Sequence, residues 1–251
     1  DTLSTTSTVI GLKENSNRKT GVVYVRSTCR NQADEVVLDY VRWVMVRKRD
    51  EAAPAPPGTV PNLAAKVAGA DLAVPPDLTF SNYDDDLAGS KHRFEDYAVG
   101  ERIDHVDGMT IESAEHMLAT RLYQNTARVH FNQHAEGQGR FGQRLVYGGH
   151  VISLARSLSF NGLANACKLA AINAGRHVNP CFAGDTIYAW SEVLEKAEID
   201  GRPDIGALRL RTIAAKDHPC GDFPGTDAKG SYPDYFVLDL DYLALLATRK
   251  G

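Results

Sequence analysis

The apolar and polar positions of residues 1–49 recur, in the same order, over residues 185–249. Residues 1–12 match residues 185–196, and both begin with Asp-Thr. In a second block Gly21 matches Gly206 and Arg26 matches Arg211, and in a third Val-Leu-Asp at 37–39 matches Val-Leu-Asp at 237–239. The blocks are rich in β-branched and aromatic residues, and the middle one alternates, which predicts antiparallel strands. We therefore predict two copies of one β-rich unit, the alternative being chance similarity between strands.

The two copies are unequal in length. Residues 94–184 precede the strands of the second copy, whereas nothing precedes those of the first. We expect residues 1–53 to be the last strands of a first unit that lacks its opening helices, so that the chain is a fragment. Six of the eleven prolines fall in residues 54–93, which predicts an extended linker, because proline lacks a backbone donor. Residues 94–251 are predicted to form a complete second unit, in which residues 218–233, rich in Gly, Pro and Asp, form a surface excursion.

Two helices are predicted within the second unit. Thr110 is placed as the cap of the first, which ends near Asn125 and carries Ile111, Ala114, Met117, Leu118 and Leu122 on one face. The second runs from about Gly149 to Ala164 and is apolar on more than one side, which is typical of a helix wrapped by a sheet. Because several strands follow this helix, the fold class is predicted to be α+β.

Composition narrows the function without defining it. The chain has 251 residues, 43% hydrophobic and 24% charged, with a net charge of -4, so nucleic acid and anionic membrane are poor candidates as partners. Its four cysteines show no paired spacing, which argues against a disulfide framework or a zinc site and favours the cytoplasm. No apolar run is long enough for a transmembrane helix, and no signal peptide is evident.

The candidate chemistry lies between Asn125 and Gly149. This stretch holds His130 and His134, several arginines, and the pair Gly148-Gly149 at the start of an apolar helix. A metal site is disfavoured, because His130 and His134 have the four-residue spacing of His-Glu-x-x-His without its glutamate, and no third ligand is evident. A catalytic histidine is favoured over a core histidine by the glycine pair and the repeat.

The residues resemble the MaoC-like, or type 2 enoyl-CoA hydratase, family. The histidine of that family's motif falls on His130, its Arg-Phe-Gly segment on Arg140-Phe141-Gly142, and its helix-opening turn on Leu145-Val146-Tyr147-Gly148. The family's Gly-Asp-Thr turn appears at 184–186 and, without its glycine, at 1–2. The resemblance covers nearly the whole chain. It implies a double hot-dog fold, an antiparallel sheet wrapped around a buried helix, with the first hot-dog incomplete.

The resemblance is most specific to members that act on a branched dicarboxylic enoyl-CoA, mesaconyl-CoA, and interconvert it with β-methylmalyl-CoA. It implies a hydro-lyase with an acyl-CoA substrate and no cofactor or metal. His130 is the implied acid/base and the Gly148 amide the oxyanion donor. The family's aspartate is Asn125 here, and an amide cannot accept a proton as a carboxylate does, so Asn125 is expected to orient the water. Glu112, Glu115 and Glu136 are candidates to replace the carboxylate.

Several residues beside the histidine are candidates for substrate binding. Arg128 stands where the family has proline and is the first candidate to pair with the free carboxylate, with Arg140 and Arg144 as further candidates. Tyr147 and Gly149 complete the predicted substrate-binding set. Arg176 and His177 could contact CoA. Structural roles compete: Asn125 as a helix C-cap, Gly148 as a packing residue and Arg140 in a salt bridge.

Two other functions remain open on the sequence alone. A hot-dog thioesterase would direct water at the carbonyl and release free thiol, and a noncatalytic acyl-thioester-binding scaffold would need no base. Hot-dog units leave a sheet edge exposed, so we expect a homo-oligomer.

Overall fold

The computed structural model describes residues 1–250, which divide into two compact units between Ala64 and Ala65. The strands are β1 (Ser4–Glu14), β2 (Thr20–Arg30), β3 (Val36–Arg47), β4 (Arg102–Asp104), β5 (Met109–Thr110), β6 (Lys168–His177), β7 (Thr186–Glu198), β8 (Ile205–Lys216) and β9 (Phe236–Ala247). The helices are α1 (Ser113–Leu122), α2 (Gln133–Glu136), α3 (Gly148–Leu158) and α4 (Phe160–Leu163). All three predicted pairs of strand blocks are therefore strands, and the division falls inside the segment predicted to be a linker.

The first unit is a three-stranded antiparallel sheet in the order β1-β2-β3. Its extended tail pairs with β1, because Leu12 and Thr59 exchange backbone hydrogen bonds of 2.9 and 2.8 Å. A Cβ on Gly11 would lie 2.6 Å from the Thr59 carbonyl oxygen, so glycine permits this close approach. The first part of the proline-rich segment thus belongs to this unit.

The sheet of the first unit leaves many apolar side chains accessible to solvent. On β3, Val36, Leu38, Trp43 and Met45 are all more than half exposed. So many large, exposed apolar side chains on one strand are unusual at a protein surface.

The second unit is built on a six-stranded sheet in the order β4-β7-β8-β9-β6, with β5 paired to β7. Helix α3 packs against β7, β8 and β9. It buries His150, Val151, Leu154, Ala155 and Leu158, because its apolar side chains cover more than one narrow face of the helix. Side chains from the helix and the sheet form the main core, which includes Val151, Leu154, Ala155, Leu158, Val193, Leu208, Leu210 and Leu240.

The opposite face of this sheet is covered by irregular chain. Leu72 and Phe80, from the proline-rich segment, pack against Ile205, Leu243 and Leu245. At another part of the sheet, Trp190 and Phe236 pack with Cys220 and Phe223 of the excursion at 218–233. Because both faces are covered, β8 and β9 are buried along almost their whole length.

The helix predictions are wrong about the cap and buried face of the first helix and about the end of the second. Glu112, not Thr110, is the N-cap of α1, and the helix buries His116 and Thr120, while Ala114, Leu118 and Leu122 are exposed. The second predicted helix ends at Leu158, because Asn161 and Gly162 have non-helical backbone angles, and Phe160 is exposed. No helix described for residues 1–250 is long and apolar enough to cross a membrane.

The sequence repeat is also a repeat of hydrogen-bond register. The β1–β2 pairing shifts between Val9 and Gly11, and the β7–β8 pairing shifts at the matching Val193 and Glu195. The β2–β3 and β8–β9 pairings shift at matching places too, after the Cys29–Leu38 and Ala214–Leu238 pairs. Chance similarity between strands does not account for bulges at matching positions, because a bulge is a local feature of one pairing.

Candidate active site

His130 ends a single helical turn, Arg128–His130, that follows α1. Its ring nitrogen Nδ1 lies 3.0 Å from the carbonyl oxygen of Leu145, and the chain is fixed there again by the Leu145 amide, which donates to the Val129 carbonyl at 3.1 Å. A carbonyl oxygen only accepts, so Nδ1 carries the proton of the neutral ring. Nε2 then holds a lone pair, which is the state that a general base requires.

The glycine pair begins α3, with Tyr147 as the extended N-cap residue. The first amides of a helix have no acceptor within it, and the helix dipole makes this end positive. A Cβ on Gly148 would lie 2.5 Å from His177 Nε2, and one on Gly149 would lie 2.5 Å from the Tyr147 ring. The absence of side chains therefore lets two rings lie against the helix start.

Aromatic and imidazole rings join the helix start to the histidine. The Tyr147 ring lies 5.9 Å from the His130 ring and 6.4 Å from the Tyr123 ring, measured between centroids. Desolvation, and next the nearby charge of His130, lower the pKa of His177 from its usual value. His130, Tyr147, Gly148 and His177 are therefore neighbours, although they come from different parts of the chain.

Asn125 is held in a turn directly after α1. Its backbone amide donates to the Thr120 carbonyl at 3.0 Å, and its side-chain Oδ1 accepts from the Ala127 amide at 2.9 Å. The residue with a left-handed backbone is Gln124, with φ of 50°. Since Oδ1 is engaged, Nδ2 is the group of Asn125 that remains to donate to a water molecule.

The three candidate arginines lie in different environments. The side chain of Arg128 is 70% exposed, and its Nε lies 3.7 Å from Glu136. Arg140 is exposed, and its guanidinium lies 4.9 Å from the centre of the Phe141 ring. Arg144 is partly buried and points to α1, with Nη2 donating to Ser113 Oγ at 2.8 Å. Sequence spacing alone does not distinguish these three environments.

Two further histidines lie beside the site and carry no motif signal. Burial, and next the charges of Arg144, His150 and His130, lower the pKa of His116 to about 4. Burial lowers the pKa of His150 as well, while Glu115, 3.8 Å from its Nε2, acts in the opposite direction. Both rings are therefore neutral near pH 7. The sequence hints only at His116, which is a polar residue within the otherwise amphipathic helix α1.

No group of three or more His, Cys, Asp or Glu side chains able to hold a metal ion occurs among residues 1–250. His134 lies in α2 and is exposed. Of the candidate carboxylates, Glu136 lies near Arg128 and Glu115 lies near His150. Glu112 occupies the N-cap position of α1, and its side chain makes no capping hydrogen bond. The chemistry that this arrangement can perform is proton transfer at His130 beside a helix amide that can receive negative charge.

Comparison with known proteins agrees with the family resemblance. Residues 1–228 match the family model described as mesaconyl-CoA hydratase. The chain is 66% identical to β-methylmalyl-CoA dehydratase of Chloroflexus aurantiacus, over 99% of this chain and 71% of that protein. It is 62% identical to mesaconyl-CoA hydratase of Cereibacter sphaeroides, over 98% of this chain and 70% of that protein.

Solved structures confirm the predicted fold class. A protein from Chloroflexus aurantiacus described as a MaoC domain dehydratase superposes with a TM-score of 0.95 at 66% identity, covering 98% of this chain and 70% of that one. A Mycobacterium tuberculosis protein described as having a double hot-dog fold gives a TM-score of 0.65 at 26% identity, covering 98% and 69%. The chain is thus an α+β protein of the double hot-dog, MaoC-like kind.

Proposed function

Because this chain belongs to the mesaconyl-CoA hydratase family and is a hydro-lyase of the hydratase/dehydratase type, we propose that its substrate is mesaconyl-CoA. The proposed reaction is the reversible addition of water to give β-methylmalyl-CoA. The enoyl thioester carries a methyl group on the α-carbon and a free carboxylate on the β-carbon. Water adds to the β-carbon, and the α-carbon receives the proton.

The proton of the attacking water passes to His130. As the water oxygen bonds to the β-carbon, its proton moves to Nε2, and the π electrons of the double bond move to the thioester oxygen as an enolate. The imidazolium then returns a proton to the α-carbon, which completes the addition. The bond from Nδ1 to the Leu145 carbonyl supports this role, because it fixes the tautomer that leaves Nε2 unprotonated.

The enolate oxygen is received at the start of α3. The Gly148 amide is the proposed donor, since it lies at the positive end of a helix that is buried against the sheet. Gly149 and Tyr147 form the wall beside it, and Asn125 orients the water through Nδ2. Arg128 and Arg140, both at the surface, are proposed to bind the acyl-CoA by charge.

One observation carries the catalytic assignment: His130 is held by the carbonyl of Leu145, and Leu145 lies only three residues before Gly148. One short segment therefore positions both the base and the amide. Replacing His130 by Gln removes the base while keeping a polar side chain of similar size. We expect kcat to fall about 100-fold to 10,000-fold, the range typical of a lost general base. The assay is loss of the enoyl-thioester absorbance of mesaconyl-CoA.

His134→Gln is the matched control, because His134 is four residues away and exposed. It should retain the parent rate. Equal rates in the parent and His130→Gln would contradict the role of His130. Release of free CoA thiol in place of hydration would instead identify a thioesterase, and binding of the thioester with no turnover in the parent would identify a scaffold.

A further inference from the structure

Arg144 is a guanidinium with no carboxylate partner among residues 1–250. Nη1 donates to Met117 Sδ at 3.1 Å and Nη2 donates to Ser113 Oγ at 2.8 Å, both on α1. Its Nε is shielded from solvent and has no acceptor. A partly buried charge with only neutral partners is unfavourable, and such a group is common where a charged ligand binds.

Other arginines of this chain show how the Nε and Nη2 edge of a guanidinium normally binds a carboxylate. Arg209 donates from Nε and Nη2 to the two oxygens of Asp241, at 3.0 and 2.6 Å. Arg211 makes the same two-point contact with Asp239, at 3.0 and 2.7 Å. In Arg144, by contrast, this edge has a hydroxyl at Nη2 and nothing at Nε. The fork therefore has the geometry for a carboxylate that the described chain does not provide.

Arg144 lies beside the proposed base. It directly precedes Leu145, whose carbonyl accepts from His130 Nδ1. Burial has the largest effect on the pKa of His116, and the charges of Arg144, His150 and His130 lower it further, so all three lie within electrostatic range of one imidazole. The guanidinium and the proposed base are thus close in space as well as in sequence.

The substrate places its own carboxylate beside the reacting atom. In mesaconyl-CoA the free carboxylate is bonded to the β-carbon, the carbon to which water adds. A residue that binds it must therefore lie close to the base that holds this water. Arg128 fits less well, because it is 70% exposed and already lies near Glu136.

We propose that Arg144 binds the free carboxylate of the substrate through its Nε and Nη2 edge and so selects dicarboxylic over monocarboxylic enoyl-CoA. This inference rests on the proposed function. The incoming carboxylate replaces the Ser113 hydroxyl at Nη2, and it satisfies Nε at the same time. Arg144 is then a specificity-determining residue, while His130 and Gly148 perform the chemistry common to both kinds of substrate.

The test compares mesaconyl-CoA with crotonyl-CoA, which has no free carboxylate. In Arg144→Gln we expect kcat/KM for mesaconyl-CoA to fall about 100-fold, as for a lost charge-assisted fork, with less than about a threefold change for crotonyl-CoA. Arg144→Lys keeps the charge without the fork and should fall about tenfold on mesaconyl-CoA alone. If the parent does not hydrate crotonyl-CoA, its inhibition constant replaces kcat/KM.

Matched variants separate this role from folding. Arg121→Gln removes an exposed charge from α1, the helix that Arg144 contacts, and Ser113→Ala removes the neutral partner of Nη2. Both variants should keep the parent's selectivity. Equal losses on both substrates in Arg144→Gln and Arg144→Lys would overturn the inference, as would a selective loss in Arg128→Gln instead. A parent that does not hydrate mesaconyl-CoA refutes the proposed function itself, which is a distinct result.

Discussion

His105 is a fully buried imidazole that is bonded at both nitrogens. Nδ1 lies 2.7 Å from the Asn161 carbonyl and therefore donates, while Nε2 lies 2.7 Å from Ser191 Oγ and accepts. Ser191 in turn lies 2.7 Å from Thr212 Oγ1, which lies 3.2 Å from the Tyr242 hydroxyl. A proton added at Nε2 would break this chain of bonds. Burial accordingly lowers the pKa of His105 to about 4.

This low pKa makes stability depend on pH. The unfolded chain takes up a proton at an ordinary histidine pKa of about 6.5, whereas the folded chain resists it until about pH 4, so the stabilisation is present above 6.5 and is lost as pH falls towards 4. We expect His105 to contribute a loss of about 2 kcal/mol in the free energy of unfolding between about pH 7.5 and pH 5. His116 acts in the same direction. Urea unfolding at both pH values measures the sum.

The variant His105→Gln isolates this residue's share. Its unfolding free energy should fall by about 2 kcal/mol less than that of the parent over the same pH interval. His134→Gln, at an exposed position, should keep the parent's full pH dependence. A variant at position 105 with an unchanged pH slope would show that this imidazole does not stay neutral in the fold.

The strands of the two units share one charged cross-strand pair. Arg26 pairs with Asp39 on β2 and β3, at 2.9 Å, and Arg211 pairs with Asp239 on β8 and β9, at 2.7 Å. The aspartate of the second unit is better enclosed, since its side chain is 14% exposed against 32% for Asp39. Burial alone would raise the pKa of Asp239, but hydrogen bonds from Arg211 and Tyr232 hold it below its usual value.

The matched pair permits a comparison within one protein. We expect Asp239→Asn to lower the free energy of unfolding by about 3 kcal/mol, because it leaves the partly buried Arg211 without its counter-charge. Asp39→Asn should cost less than about 1 kcal/mol, since exposed ion pairs contribute little. Chemical denaturation of the two variants and the parent measures both values. Similar losses would show that enclosure does not control the strength of this pair.

Strands were predictable at this scale, whereas the buried face of α1 was not. Alternating β-branched and aromatic residues define a two-residue period that the sheet must follow. In α1 the buried positions are instead taken by His116 and by Thr120, whose hydroxyl donates to the His116 carbonyl at 2.8 Å and so satisfies itself within the helix. Hydrophobicity alone selects Leu118 and Leu122, which are exposed.

The residues of the candidate site were predictable only in part. The His130 and Gly148 assignments followed from the family motif, and their catalytic roles stay predictions. The Leu145 contact that fixes the His130 tautomer uses a main-chain carbonyl, which any residue type provides and which therefore has no sequence signal. His116, His150 and His177 reach the site because α1, α3 and β6 pack together. This packing joins residues that are far apart in the sequence, so local sequence patterns do not predict it.

At the scale of the whole molecule, the apolar surface of the first unit is the most unusual feature. Val36, Leu38, Trp43 and Met45 on β3 are more than half exposed, and Val37, Tyr40 and Val46 add to the same strand. Several large apolar side chains exposed on one strand are typical of a surface that other protein covers. The prediction of a homo-oligomer is consistent with it.

We expect the purified chain to sediment as a species larger than one copy. Trp43→Lys should shift it towards the monomer, because a charge would be buried at the interface without a partner. Leu87→Lys is the control: Leu87 is 88% exposed and lies in the second unit. Sedimentation velocity at several protein concentrations distinguishes these states. A parent that is monomeric at every concentration would contradict the expectation.

The matching register of the two sheets indicates how the chain evolved. Bulges, charged pairs and hydroxyl pairs recur together: Ser7 lies 2.8 Å from Ser27, and the matching Ser191 lies 2.7 Å from Thr212. Independent origins would have to reproduce each of these features separately, whereas tandem duplication of one ancestral gene provides all of them in a single event. The copy that carries His130 and Gly148 is then the one to which the proposed chemistry is assigned, and the other copy was free to diverge.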